Sequence, residues 1–164
     1  MEKDFLQSLK HKGFTARIKR LSDAMFYDSK RYYSNSHLDI EPNWHIIFLL
    51  LKTEKELTVT EIAKRLKFSH PAIIKIIKKM KEKGHLDSLP DHSDNRKTIL
   101  RLSDKGLKHL LIFEKEWNRF RDVIKEVVDE EFLLKLAEIE NRLYDQSLSM
   151  RYLKKYKKSL KVII

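Results

Sequence analysis

The sequence contains no cysteine, which excludes disulfide bonds and thiol chemistry. Glycine and proline occur only three times each, so a loop-rich β-sandwich is disfavoured and long helices are favoured. No apolar run approaches the roughly 20 residues that a transmembrane helix needs, and the N-terminus lacks the apolar core of a signal peptide. We therefore expect a cytoplasmic, mainly α protein.

Acidic residues are scarce in two parts of the chain, where positive charge is concentrated. The 164 residues include 35 Lys and Arg and 24 Asp and Glu, a formal net charge of +11. Residues 64–101 hold 11 cations and four acids, and residues 146–164 hold six cations and no acid. Such concentration attracts polyanions such as nucleic acid or anionic lipid, although a basic surface that serves only solubility is the alternative.

Apolar spacing predicts helices over most of the chain. They are expected at residues 4–34, 43–53 and 104–128, and again from 129 onward; the second should be central and buried. The outer helices carry apolar stripes that the same segments of a second chain could cover, and a helical bundle within one chain is the alternative. Residues on these stripes include Phe14, Ile18, Leu21, Met25 and Tyr32 in the first helix, and Leu107, Leu110 and Leu111 in the third.

Two shorter helices lie between these outer segments. Thr58 and Glu61 form a capping box that starts the first of the two. Ser69 can cap the second, which is expected at residues 69–83, and Pro71 is tolerated in its first turn. The helix expected at residues 69–83 has an apolar face and an opposite face that is mainly polar. The apolar face comprises Ile73, Ile76, Ile77 and Met80.

A β-hairpin is predicted after the second short helix. Gly84 ends that helix, and strands are expected at residues 85–89 and 97–102. The residues between the strands are polar turn formers, including Asp91 and Asn95. This order places a helix that fits a DNA major groove beside a basic loop that could reach the minor groove.

The outward face of the second short helix supplies candidate DNA contacts. Ser69 and His70 can hydrogen-bond to bases, while Lys75 can reach guanine or a phosphate. Lysines further along contact phosphates and so position the helix without reading sequence. A solvated amphipathic helix followed by an ordinary turn is the alternative. The predicted DNA-contacting residues are Ser69, His70, Pro71, Ala72, Ile74, Lys75, Lys78, Lys79, Asp94, Arg96 and Lys97.

Residues 57–106 resemble the winged helix-turn-helix of the MarR family of transcription regulators. The family's wing pattern is Asp-x-Arg, five residues, then Leu-Thr-x-x-Gly, and this chain matches it in register with Ser103 in place of Thr. The opening Leu-Thr-x-x-Glu-Ile-Ala-x-x-Leu and the helix ending Glu-Lys-Gly also match. The wing residues in question are Asp94, Arg96, Leu102, Ser103 and Gly106.

The resemblance implies a homodimer that binds pseudo-palindromic operators and answers to a small ligand, most simply as a repressor. It implies one domain over residues 1–164, in which N- and C-terminal helices form the dimer. Residues 1–35 would then be a dimerisation helix, residues 40–102 the winged helix-turn-helix, and residues 103–164 the C-terminal dimerisation helices with a basic tail.

Three positions depart from the family pattern. Many members carry Ser or Thr where this chain has Ala72 and Ile74, and Arg where it has Lys75. These departures weaken the usual bidentate base contacts and favour an A/T-rich site that is read partly through thymine methyl groups and DNA shape.

The resemblance also implies an effector cleft between the dimer helices and the DNA-binding lobe. Its expected residues are Tyr32, Tyr33, Trp44, His45 and Phe48, although ordinary core aromatics are the alternative reading of these side chains. No enzymatic role, catalytic residue, cofactor or metal is expected, because the chain has no phosphate loop, thiol nucleophile or helical His pair. A zinc site built from distant residues remains open.

A different class of function is also open. A winged helix can serve as a protein-interaction module, with its basic tail lying on RNA or an anionic membrane. The DNA-binding interpretation includes no membrane partner.

Overall fold

The computed structural model describes residues 4–91 and 97–156. It is mainly helical with one small antiparallel sheet, as the sequence predicted. The chain divides into two compact units, Met1–Glu116 and Trp117–Ile164. Within the described ranges, no helix is both long and apolar enough to cross a membrane.

The first unit begins with a broken helical segment. Helix α1 spans Phe5–Ser8, a 3-10 turn spans Lys10–Gly13, and α2 spans Phe14–Asn35. The sequence predicted helical structure over residues 4–34 with Gly13 as the residue that could break or bend its start, and this break is present. The break occurs at Gly13, where a Cβ would lie 2.5 Å from the carbonyl oxygen of Leu6. Only glycine allows the two helical segments to approach this closely.

Helix α3, Trp44–Glu54, forms the centre of the first unit. Its buried residues are Trp44, Ile47, Phe48 and Leu51, while Leu49 is 41% exposed, so burial is confined to one side. The helix begins one residue after the predicted start, because Asn43 has a left-handed φ of 72° that turns the chain into the helix.

Helix α4 spans Val59–Leu66 and α5 spans His70–Glu82. The predicted capping box is present: the Thr58 hydroxyl accepts from the Glu61 N–H at 3.2 Å, and the Glu61 carboxylate accepts from the Thr58 N–H at 2.8 Å. Lys67 takes a left-handed φ of 53° between the two helices. Gly84 takes a φ of 73° just after α5 ends, a conformation that favours glycine.

Strands β1 (Leu57–Thr58), β2 (Leu86–Pro90) and β3 (Thr98–Leu102) form the sheet in the order β1-β3-β2. All pairs are antiparallel, and Leu100 of β3 lies opposite both Leu57 and Ser88. The two hairpin strands were predicted to within one residue at each end. The two-residue β1 has too little sequence for an alternating pattern and was not predicted.

Helix α6, Asp104–Lys125, starts against the end of α5. The Ser103 hydroxyl donates to the Gly84 carbonyl at 2.6 Å and accepts from the Gly106 N–H at 3.0 Å. Ser103 thus caps α6 while holding it to the residue that follows α5. Of the stripe predicted to face inward, Leu110 is 4% exposed, but Leu107 and Leu111 are 51% and 74% exposed.

The second unit contains the end of α6, α7 (Glu130–Asp145) and α8 (Leu148–Tyr156). The Asp129 side chain caps α7 by accepting from the Phe132 N–H at 2.7 Å, and acidic residues occupy the first turn as predicted. Neither α7 nor α8 buries a residue. Large apolar side chains are consequently exposed on both helices.

Candidate nucleic-acid interface

Helix α5 has two distinct faces. Ile73 and Met80 are 0% exposed and Ile77 is 5% exposed, so the apolar face is held in the core of the first unit. The sequence predicted this burial, and Ile76, the fourth residue expected on this face, is half-buried. The opposite face is open to solvent, and its exposed residues are Ser69, His70, Pro71, Ala72, Ile74, Lys75, Lys78, Lys79 and Lys81.

The amino-terminal end of α5 is unusual in its capping. Ser69 has the extended backbone of an N-cap residue, but its side chain makes no capping hydrogen bond, contrary to the role we expected. Pro71 at the start of the helix has no N–H to satisfy. The exposed Ser69 hydroxyl is therefore not committed to the helix end.

Two lysines of α5 make ion pairs along the outer face. Lys79 lies 3.5 Å from the Glu41 carboxylate, and Lys78 lies 3.9 Å from Glu82 on the same helix. Among the described residues, no ion pair engages Lys75 or Lys81. Exposed pairs of this kind contribute little free energy, so they can give way to a phosphate.

The end of α5 is fixed to the connector between α2 and α3. The Lys83 ammonium donates to the Asp39 carboxylate at 2.8 Å, and Lys105 donates to the Lys83 carbonyl at 2.7 Å. The hydrogen bond from Lys83 holds the pKa of Asp39 below its usual value. These contacts were not predicted, because the sequence does not show that Asp39, 44 residues before Lys83, lies beside the end of α5.

The hairpin carries a further exposed basic residue. Lys97 is exposed, and its carbonyl accepts from the Asp91 N–H at 3.0 Å, which closes the base of the hairpin loop. The predicted wing contacts Asp94 and Arg96 lie outside the described residues.

An aromatic cluster lies beneath α5, centred on the fully buried His85. Its ring centroid lies 5.3–5.9 Å from each of its four aromatic neighbours. Within residues 4–91 and 97–156, neither ring nitrogen of His85 has a hydrogen-bond partner. Those neighbours are the rings of Trp44, Phe48, His109 and Phe113.

The environment of His85 disfavours a charged ring. Burial, and next the positive charge of Lys105 and the neighbouring His109, hold the pKa of His85 below its usual value; the backbone and carboxylate of Asp39 oppose this shift less strongly. The burial of His85 could have been suspected from the sequence, because this residue follows Gly84 directly and leads into strand β2.

The five residues predicted near an effector differ in burial. Tyr33, Trp44 and Phe48 are at most 4% exposed and belong to the core. Tyr32 is half-buried and donates its hydroxyl to the Glu116 carboxylate at 2.6 Å. His45 is also half-buried, and burial lowers its pKa. In the described part of the chain, no group of three His, Asp or Glu side chains is placed to hold a metal ion.

The chain is similar to known transcription regulators. The MarR family model matches residues 38–97. The HTH-type transcriptional repressor IacR of Pseudomonas putida is 27% identical over 103 residues, which cover 63% of this chain. The matched region spans 56% of IacR, a little over half of its length.

Solved structures share the fold along most of the chain. A mutant MarR from E. coli in complex with operator DNA has a TM-score of 0.67 at 15% identity and covers 86% of this chain and 99% of its own. The PcaV regulator from Streptomyces coelicolor, in complex with its natural ligand, has a TM-score of 0.63 at 18% identity and covers 90% and 99%. The match over residues 38–97 shows that this segment is similar to the MarR family, and the solved structures show that the chain shares their fold.

Proposed function

We propose that the chain is a DNA-binding transcription regulator that acts as a homodimer on a pseudo-palindromic operator. The observation that carries this proposal is the outer face of α5, where exposed lysines accompany small, hydroxyl and apolar side chains over a fully buried inner face. A helix built this way can enter a major groove at a fixed angle and still present side chains to base edges.

Residues near the start of α5 would read the sequence. Ser69, His70 and Lys75 carry groups that can hydrogen-bond to base edges or phosphates, whereas Ala72 and Ile74 offer only apolar contact, which suits thymine methyl groups. Lysines in the second half of the helix would contact phosphates and set its position.

The dimer follows from the apolar surface that a single copy leaves uncovered. Along α2, Phe14, Ile18, Leu21 and Met25 are 43–49% exposed and recur on one face of the helix. A second copy could cover this stripe symmetrically, and it would present two α5 helices to successive major grooves about 34 Å apart. Sedimentation of the purified chain with and without a Leu21→Glu substitution tests the dimer.

A repressor that answers to a small ligand is the simplest regulatory role. IacR is named as a repressor and PcaV was solved with its natural ligand. Within the candidate effector set, Tyr32 and His45 are the partly exposed members, so they are the first to test for ligand contact.

Substitutions in α5 test the proposal. Lys75→Ala should change the order of affinities across a panel of duplexes, while Lys79→Ala should weaken binding to all of them alike. Arg96→Ala should weaken binding while leaving thermal unfolding unchanged. Fluorescence anisotropy on fragments selected from genomic DNA measures each effect, and Lys12→Ala, a change to an exposed lysine of the 3-10 turn, is the control.

Wild-type affinity in all three α5 and wing variants would contradict the proposal. It would instead favour the protein-interaction reading of the winged helix.

A further inference from the structure

Helix α8 separates its apolar and cationic side chains onto two faces. At about 100° per residue, its three cations fall within an arc of about 100°, and its apolar side chains occupy the opposite arc of about 200°. The cations are Arg151, Lys154 and Lys155, and the apolar residues are Leu148, Met150, Tyr152, Leu153 and Tyr156.

The apolar face of α8 is exposed along its whole length. Its five side chains are 41–63% exposed, and the Tyr152 and Tyr156 rings pack together with their centroids 5.1 Å apart. The Arg151 guanidinium donates to the carbonyls of Arg142 and Gln146, at 2.7 and 2.9 Å, which joins α8 to the end of α7. Lys154 and Lys155 are exposed on the polar face.

The charge of this region has one sign. Residues 146–164 contain six Lys and Arg and no Asp or Glu. The sequence beyond α8 has the same composition, with Lys157, Lys158 and Lys161 among the apolar Leu160, Val162, Ile163 and Ile164.

One kind of surface satisfies both faces of α8. Duplex DNA would neutralise the cations but leave the apolar arc in water. Packing α8 against α8 of a second copy would cover the apolar arc but leave the three cations on the opposite arc without an anionic partner, because the helix has no acid. An anionic lipid surface accepts the apolar arc at the boundary of the acyl chains while its headgroups meet the cations.

We propose that α8 lies flat on an anionic lipid bilayer. Tyr152 and Tyr156 suit the interfacial depth, because their rings are apolar and their hydroxyls polar. Helix α8 is far too short to span a bilayer. The proposal uses no residue of α5, so membrane binding does not depend on the proposed DNA-binding function. It departs from our sequence-based expectation of no membrane partner.

Vesicle flotation of the full chain tests the proposal. The protein should float with vesicles of phosphatidylcholine containing about one-third phosphatidylserine and should remain behind with phosphatidylcholine alone. Rising salt should release it, because the cations are exposed.

Two paired variants test the two faces separately. Lys154→Gln with Lys155→Gln should weaken vesicle binding about thirtyfold, from the contribution expected of two surface cations. Leu148→Ser with Tyr152→Ser should also weaken vesicle binding, while circular dichroism stays unchanged because neither side chain is buried. Lys12→Gln with Lys30→Gln removes two exposed lysines elsewhere and should float like the wild type.

Four results would overturn the proposal. The first is equal flotation with neutral and anionic vesicles, and the second is no loss of flotation in either α8 variant. The third is absence of flotation together with weaker duplex binding by the lysine variant, which would assign α8 to DNA. The fourth is absence of flotation together with a changed sedimentation coefficient in the apolar variant, which would assign α8 to contact with a second copy.

Discussion

Lowering the pH from 7.5 to 5.5 should destabilise the fold, because two core histidines resist protonation. His85 is fully buried among aromatic rings, and burial is the main cause of its lowered pKa. Burial also lowers the pKa of the half-buried His45. In the unfolded chain both rings would titrate near pH 6.5. Below that pH, the unfolded state therefore binds more protons than the folded state does.

The size of the effect follows from proton linkage. Each histidine reduces the free energy of unfolding by at most about 1.4 kcal/mol per pH unit, from pH 6.5 down to its own folded pKa. Together the two give at most about 2.8 kcal/mol per unit, and neither contributes well above pH 6.5. Three carboxyl groups also have lowered pKa values. Their contribution to the free energy of unfolding is lost only at lower pH, outside the range from 7.5 to 5.5; they are Asp4, Asp39 and Glu61.

Urea unfolding followed by circular dichroism measures this dependence. His85→Phe keeps an aromatic ring and removes the titrating group, so its stability should depend less steeply on pH than that of the wild type. Overpacking could change its absolute stability by about 1–3 kcal/mol without affecting this slope. His11→Phe, an exposed position, is the control. All measurements need the same protein concentration, because dimerisation would contribute to stability. A wild-type slope retained by His85→Phe would refute the reasoning.

Three further substitutions test other parts of the structure. Thr58→Ala removes the capping box of α4 and should cost about 1 kcal/mol of unfolding free energy in urea; unchanged stability would show that the cap contributes nothing. Gly106→Ala places a Cβ 2.3 Å from the His85 carbonyl oxygen and should lower the free energy of unfolding by about 1–3 kcal/mol or more, and an unchanged melting temperature would contradict this close approach. Glu41→Gln releases Lys79 from its ion pair, so duplex binding should tighten up to about fivefold at low salt. Fluorescence anisotropy measures this change. Weaker binding would mean that the ion pair positions α5 for DNA.

Local chemistry made the helix pair and the hairpin predictable from the sequence. The Thr58–Glu61 box starts α4, apolar spacing sets the buried face of α5, and Gly84 follows its end. Each of these signals acts over a few residues, so tertiary packing had little scope to override it. The outward residues of α5 could be predicted for the same reason.

Features that depend on distant segments were not predictable. Strand β1 exists only through its pairing with β3. The ion pair between Lys79 and Glu41 joins residues 38 positions apart in the chain. No periodicity within α5 distinguishes Lys79, which has an acidic neighbour, from lysines that have none among the described residues.

The central claim is that two α5 helices hold DNA. The salt dependence of duplex binding is its most direct test. A dimer presents Lys75, Lys78, Lys79 and Lys81 twice. If all eight lysines reach phosphates, the logarithm of the binding constant should fall against the logarithm of salt with a slope of about −7; if the ion-paired Lys78 and Lys79 keep their glutamates, the slope should be about −4. Anisotropy with a genomic fragment between low and physiological salt gives this slope. A value between these limits agrees with the account, and a slope near zero contradicts it.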